Sequence, residues 1–143
     1  MFSKSCEYAI KIMAFIAYQQ NKSKELVGLD AISEAIDSPK AFTAKILQQL
    51  TKARLLKSTR GRTGGFFLDK NQSISLADIV KAIDGPKLFE DCLLGFDKCQ
   101  DDNPCVLHYQ LKKERNSLKN KLLSTDIHTI AKRVNRQKAY FKE

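Results

Sequence analysis

Residues 38–68 read SPKAFTAKILQQLTKARLLKSTRGRTGGFFL. Asp37-Ser38-Pro39 stops one helix and starts another: Ser38 can cap, and Pro39 suits a first helical position. The new helix runs to about Lys52, with Phe42, Ile46, Leu47 and Leu50 inward, Ala41, Ala44, Lys45 and Gln48 outward, and Thr43 near the border. A short helix precedes it, marked by Leu29, Ile32, Ala35 and Ile36. Two short helices joined by a tight turn, the second basic on its free face, form the helix-turn-helix pattern. Leu55–Thr59 then reads as a strand, Arg60-Gly61-Arg62-Thr63-Gly64-Gly65 as a glycine-rich turn, and Phe66-Phe67-Leu68 as the return strand. That is a β-hairpin with a basic tip, a wing set directly after the helix pair.

Outward from this segment the chain is helical. Phe2, Cys6, Ala9, Met13 and Ile16/Ala17 recur at steps of four and three, one apolar stripe on an N-terminal helix. This stretch carries Glu7 and Lys11 and lacks a small-residue cleavage site, so it reads as an amphipathic helix and not a signal peptide. Residues 73–83 form a further helix, with Ser75 as its cap and Gly85-Pro86 at its end. Residues 87–104 show no sustained periodicity and read as a loop with a helical turn around residues 90–94. From Cys105 to about Leu123 the chain is helical again, and Leu107, Leu111, Leu118 and Leu122 form a narrow stripe on a polar helix. Such a stripe asks for a partner helix, which predicts a homodimer seam. A last segment, residues 125–134, carries Ile127, Ile130, Ala131 and Val134. The fold class is mainly α with a small β-hairpin wing. It divides into a winged helix-turn-helix domain (1–85), a cysteine-containing loop (86–105), and a dimerisation helix with a C-terminal segment (106–143).

The 143 residues make about one domain and bury a core without disulfides. Lys+Arg is 25 and Asp+Glu 16, a net charge of +9, distributed unevenly. Residues 1–70 carry net +6, residues 71–111 net −4, and residues 112–143 net +7. Residues 40–62 hold seven basic side chains and no acid. A one-sign window on a helix-turn-helix and wing points to double-stranded DNA. Lys40, Lys52 and Lys57 are candidates for phosphate contacts, and Thr43, Lys45 and Gln48 for base edges in the major groove. Arg60, beside Arg62 at the wing, is a candidate for a minor groove. Ser38, at the start of the second helix, completes the set. No apolar run is long enough for a membrane span, and the expected compartment is cytoplasmic. With no CxxC and no nucleotide-binding glycine motif, nothing supports an enzyme.

The acidic middle block holds three of the four cysteines, Cys92, Cys99 and Cys105, spaced C-x6-C-x5-C. Structural zinc favours tighter knuckles. A larger thiolate-bound iron–sulfur cluster can be clasped by wider gaps, but ferredoxin spacings do not match either. Spacing alone leaves two readings open: a metal or cluster, or reduced thiols that pack or sense oxidants. His108, three residues after Cys105, is a candidate fourth ligand, as are Glu7 and Cys6 on the first helix. Cys6 lies on the apolar stripe, where a small buried thiol is the simpler reading.

This order of helix, helix-turn-helix, Arg-Gly wing, SISLADIV helix, three-cysteine loop and long helix resembles the Rrf-two family of bacterial transcription regulators, over residues 1–135. The most specific pieces are LLKSTRGRTGGF at residues 55–66, similar to the family's L-V-x-S-x-R-G-x-x-G-G-Y, and the cysteine triplet. The resemblance implies a homodimer on an operator, with a [2Fe-2S] cluster on Cys92, Cys99 and Cys105. For the fourth ligand it implies His108 in the manner of IscR-like members, or, in the manner of NsrR-like members, an acid on the first helix of the other subunit, the position at which Glu7 falls. The first cysteine gap is longer here than in relatives, Ala44 stands where IscR-like proteins place an acid, and some members carry no cluster.

Overall fold

The computed structural model describes residues 1–134; positions 135–143 of the C-terminal segment lie outside the described residues. The element order is α1 (Lys4–Lys22), α2 (Leu29–Ala35), α3 (Lys40–Lys52), β1 (Lys57–Thr59), β2 (Gly65–Phe67), α4 (Leu76–Asp84), α5 (Lys87–Glu90), α6 (His108–Ser124) and α7 (Ile127–Val134).

The first helix is the axis of the molecule. Its stripe is wider than the four-and-three spacing predicts, because every residue from Ile12 to Ala17 is buried. No polar side chain interrupts that stretch, so the helix is enclosed on all sides. The elements packed around it are α2, α3, α4, α7 and β2. Fully burying a side chain such as Ile12, Met13 or Ile16 contributes about 1.5–3 kcal/mol. Ser3 caps the helix by accepting from the Cys6 N–H, and its own N–H donates to Asp84 Oδ2 at 2.9 Å. A second, smaller core joins Cys6 to Ala77, Val80, Phe89 and Leu122, linking α1 to α4, α5 and α6.

The helix pair α2–α3 and the hairpin β1–β2 form as the sequence predicts, with shifted ends. α3 begins at Lys40 with Pro39 at the cap position and no side-chain cap bond. Ser38 comes one residue too early to serve: its N–H donates to Ser33 O at 3.0 Å, and its buried Oγ has no partner among the described residues. The hairpin is antiparallel, in the register Lys57↔Phe67, Ser58↔Phe66 and Thr59↔Gly65. Leu56, expected in the first strand, lies just before it and is buried. Phe66 also exchanges backbone hydrogen bonds with Val27, at 2.8 and 3.1 Å, which fastens the wing to the segment before α2.

Ser75 caps α4 through a reciprocal box with Asp78, and Gly85 ends it at φ 76°. The helical turn expected around residues 90–94 occurs earlier, as α5, because Pro86 suits a helix start. α6 begins at His108, not Cys105: the His108 N–H donates to Cys105 O at 3.0 Å in a turn leading into the helix. The leucine stripe of α6 divides. Leu122 is buried in the second core with Leu118 against it, whereas Leu107 is exposed. Half of the expected seam thus packs on its own domain. α7 is fixed against α1 by Ile127 and Ala131, and Asp126 accepts from Ser73 Oγ, the Ile74 N–H and the His128 N–H.

The glycine pair of the wing is sterically required at Gly64, where a Cβ would stand 2.2 Å from Thr59 O and 2.8 Å from the Arg60 carbonyl carbon. Both are backbone atoms and cannot give way. Gly64→Ala is therefore expected to abolish amide-exchange protection of the Phe66 N–H while the helical circular dichroism persists. Gly61→Ala meets nothing within 4 Å and carries only the strain of φ 106°, about 1–3 kcal/mol. Equal protection of Phe66 in wild type and Gly64→Ala would overturn this account of the turn.

Candidate functional site

Two surfaces carry chemistry, and they are built from different parts of the chain. The first is the exposed basic face of α3 and the wing. α3 is amphipathic, so burying Ile46, Leu47 and Leu50 turns Lys45 and Gln48 to solvent. Lys52, Arg60 and Arg62 are also exposed. Lys40 pairs with Asp30 at 2.9 Å and Lys57 with Asp69 at 3.0 Å. The Asn71 N–H and then Lys57 hold the Asp69 carboxyl below the usual carboxylate range. Both ion pairs are largely exposed and contribute little to stability, so neither lysine is locked to its partner. Thr43 departs from expectation. It is fully buried, and its hydroxyl donates to Pro39 O one turn back at 3.0 Å, so in this conformation it does not face a groove.

The second surface is a pocket of ≈ 550 Å³ in the segment between α5 and α6. Cys92, Cys99, Cys105 and His108 all line it, with Phe96, Pro104 and Val106 among the apolar contributors. The four donors stand in two pairs. Cys92 Sγ and Cys105 Sγ are 3.8 Å apart, and Cys99 Sγ is 3.3 Å from His108 Nδ1. Backbone N–H groups, that of Leu94 foremost and then that of Phe96, lower the Cys92 thiol below its ordinary value, against an opposing desolvation. His108 is buried, and its Nε2 lies 2.7 Å from Asp101 Oδ1. Lys112 donates to both Asp101 oxygens at 2.7 and 2.9 Å. Lys112 first, then His108, keep the Asp101 carboxyl below its usual range.

Among the described residues no three His, Cys, Asp or Glu groups gather closely enough to hold a single ion. Two thiolates bound tetrahedrally to one metal at about 2.3 Å stand about 3.8 Å apart, the spacing of Cys92 and Cys105. The donors number two in each pair, which is the count a [2Fe-2S] cluster would take on each iron, and such clusters accept imidazole in place of thiolate. Of the alternative fourth ligands, Glu7 stands on α1 in an exposed pair with Lys4 at 2.8 Å that does not lock it, and burial, aided by Asp84, pushes the Cys6 thiol up to about 12. Cys6 is fully buried in the second core, apart from the residues that line the pocket.

Three side chains around the pocket escaped the sequence reading. Asp101 and Lys112 are ordinary surface types whose role appears only when the loop folds back on α6. Arg115 is buried on α6, where its Nη1 donates to Glu90 O and Asp91 O at 3.3 and 2.8 Å, gripping the chain just before Cys92. Its one sequence signal is that it interrupts the leucine spacing.

The family model described as "Rrf2: Iron-dependent Transcriptional regulator" matches residues 2–133. The chain is 29% identical over 130 residues to a protein of Aquifex aeolicus (strain VF5) named for the HTH-type transcriptional regulators, covering 89% of this chain and 88% of that one. It is 25% identical over 112 residues to the HTH-type transcriptional regulator NsrR of Oceanobacillus iheyensis, covering 77% and 75%. Its fold is similar to that of CymR, the global cysteine regulator of B. subtilis, with TM-score 0.77, 22% identity, and 93% and 97% of the two chains covered. It is likewise similar to T. potens IscR, with TM-score 0.72, 22% identity, and 98% and 93% covered. With its helix-turn-helix, its basic wing and a family match across nearly its whole length, the chain belongs to the Rrf2 (Rrf-two) family of transcriptional regulators, whose role is not catalytic.

Proposed function

We propose that this regulator works as a cytoplasmic homodimer on double-stranded DNA, with operator affinity set by a [2Fe-2S] cluster on Cys92, Cys99, Cys105 and His108. The observation that carries the proposal is the two-by-two arrangement of these donors around one pocket. Bound there, the cluster supplies a centre that changes with oxidant, nitric oxide or iron supply. Every other step belongs to the chain. Arg115 ties the backbone before Cys92 to α6, and His108 is the first residue of that helix. Ordering the loop therefore sets the position of α6. Leu122 of α6 and Phe89 of α5 share a core with Ala77 and Val80 of α4, so a shift there reaches the DNA-binding head.

On DNA, Lys40, Lys52 and Lys57 take phosphates, while Lys45 and Gln48 of α3 face base edges. Arg60 and Arg62 bring the wing to a minor groove, whereas Ser38, with its Oγ buried and its N–H held by Ser33 O, has no group to offer a phosphate. A dimer is required because one head cannot span two half-sites. A second reading has its own support: the proximity of Cys92 and Cys105, with the Cys92 thiol lowered, suits a thiol sensor. There, a peroxide would accept two electrons and two protons as the pair closes to a disulfide.

Three outcomes are expected. Cys92→Ala, Cys99→Ala or Cys105→Ala abolishes the visible chromophore after anaerobic reconstitution with iron and sulfide, and Cys6→Ala retains it. A wild-type protein that stays colourless sinks the cluster and leaves the thiol sensor. Arg60→Ala weakens specific DNA binding by about 1–3 kcal/mol, whereas Lys57→Ala weakens all sequences alike and reduces the salt slope by about one charge. Unchanged gel-shift titrations for Arg60→Ala would remove the wing from the interface. Leu111 is half-buried and belongs to neither core, so Leu111→Asp tests the seam without disturbing the fold. Light scattering is expected to report monomer; a persistent dimer would place the seam elsewhere.

A further inference from the structure

The geometry points to Asp101 as the positioning residue for His108, holding the ring in the Nε2–H tautomer with its Nδ1 lone pair open to the cysteine pocket. This rests on the reading above that His108 is the fourth ligand. The His108 side chain is 1% exposed, so water cannot choose its tautomer. A neutral imidazole has one donor nitrogen and one acceptor, and an ionised carboxylate only accepts. With Nε2 at 2.7 Å from Asp101 Oδ1, the proton belongs on Nε2. Nδ1 is then bare, and it is the nitrogen that faces Cys99 Sγ at 3.3 Å. The opposite tautomer would set a lone pair against the carboxylate and leave the pocket side with no electrons to give a metal.

Asp101 is itself held. Lys112 lies one turn beyond His108 on α6 and grips both Asp101 oxygens. The helix that presents the ligand thus also carries the clamp on its orienting carboxylate. Tyr109 stacks edge-on to the imidazole, with centroids 5.0 Å apart and planes at 89°, which restrains ring rotation. A carboxylate behind a metal-binding histidine is a recurring arrangement, and losing it typically costs about 10–100-fold in metal affinity.

The test uses the full-length protein with ¹⁵N-labelled histidine, first without iron. Nitrogen shifts in the NMR spectrum, assigned by the loss of signals in His108→Ala, are expected to show Nε2–H for His108 in wild type. Asp101→Asn, whose amide oxygen still accepts, keeps that tautomer, and Asp101→Ala gives a mixture. A merely structural role for Asp101 would not move this signature. After reconstitution with iron and sulfide, Asp101→Ala is expected to lose its chromophore to a chelator about 10–100-fold faster than wild type, with Asp101→Asn close to wild type. An Nδ1–H tautomer in wild type, or an Asp101→Ala spectrum and chelation rate like wild type, overturns the positioning role. Failure of the wild type to take up iron and sulfide overturns the ligand role, and is distinguishable because the tautomer is read without iron.

Discussion

The enclosure of α1 is the constraint on which the other elements depend. Six consecutive apolar residues, Ile12 to Ala17, leave no face that can meet water, so the remaining helices must surround this one. α2 and α3 do so on one side, α4 and α7 on others, and the wing closes the gap through β2 and Val27. The orientation of α3 follows. Its apolar face is spent on the core, and what is left for a partner is Lys45, Gln48 and Lys52. The loss of Thr43 from that surface has the same cause, since a β-branched residue at the border of a narrow helix is drawn into the core when its hydroxyl can bond the preceding turn.

The molecule separates its two charges as well as its two surfaces. The basic head needs no charged group in the core to hold it, because its exposed ion pairs contribute little and apolar burial dominates. The cysteine segment is acidic and lightly packed, with Phe96 63% exposed and Val106 90% exposed. What gives it form is a small set of directed bonds: Arg115 to two carbonyls, Lys112 to Asp101, and Asp101 to His108. Few buried contacts and several polar tethers make this segment less densely packed than the head, whose core is a continuous apolar cluster. The second core joins this side of the molecule to the head by packing alone, since Leu122, Phe89 and Val80 come from three helices and meet at Cys6.

Much was decided by local sequence. The helix pair, the basic glycine-rich wing, the Ser75 cap and the Gly85 stop all follow from residue type at fixed spacing, because each is satisfied within a few residues of chain. The three cysteines and His108 were identifiable as one group for the same reason, as 17 residues of loop contain them all. Tertiary structure decided the rest. Only the packed molecule shows that Leu118 and Leu122 face their own domain, that Thr43 is buried, and that Cys6 is shut in the core, where burial raises its thiol. Only the folded loop pairs Cys92 with Cys105 and Cys99 with His108, and brings Asp101 behind the imidazole. Periodicity reports which face of a helix is apolar; which neighbour covers that face, and which charged side chain meets which ring nitrogen, depends on contacts between residues distant in sequence or joined by irregular loop, and no local pattern encodes them.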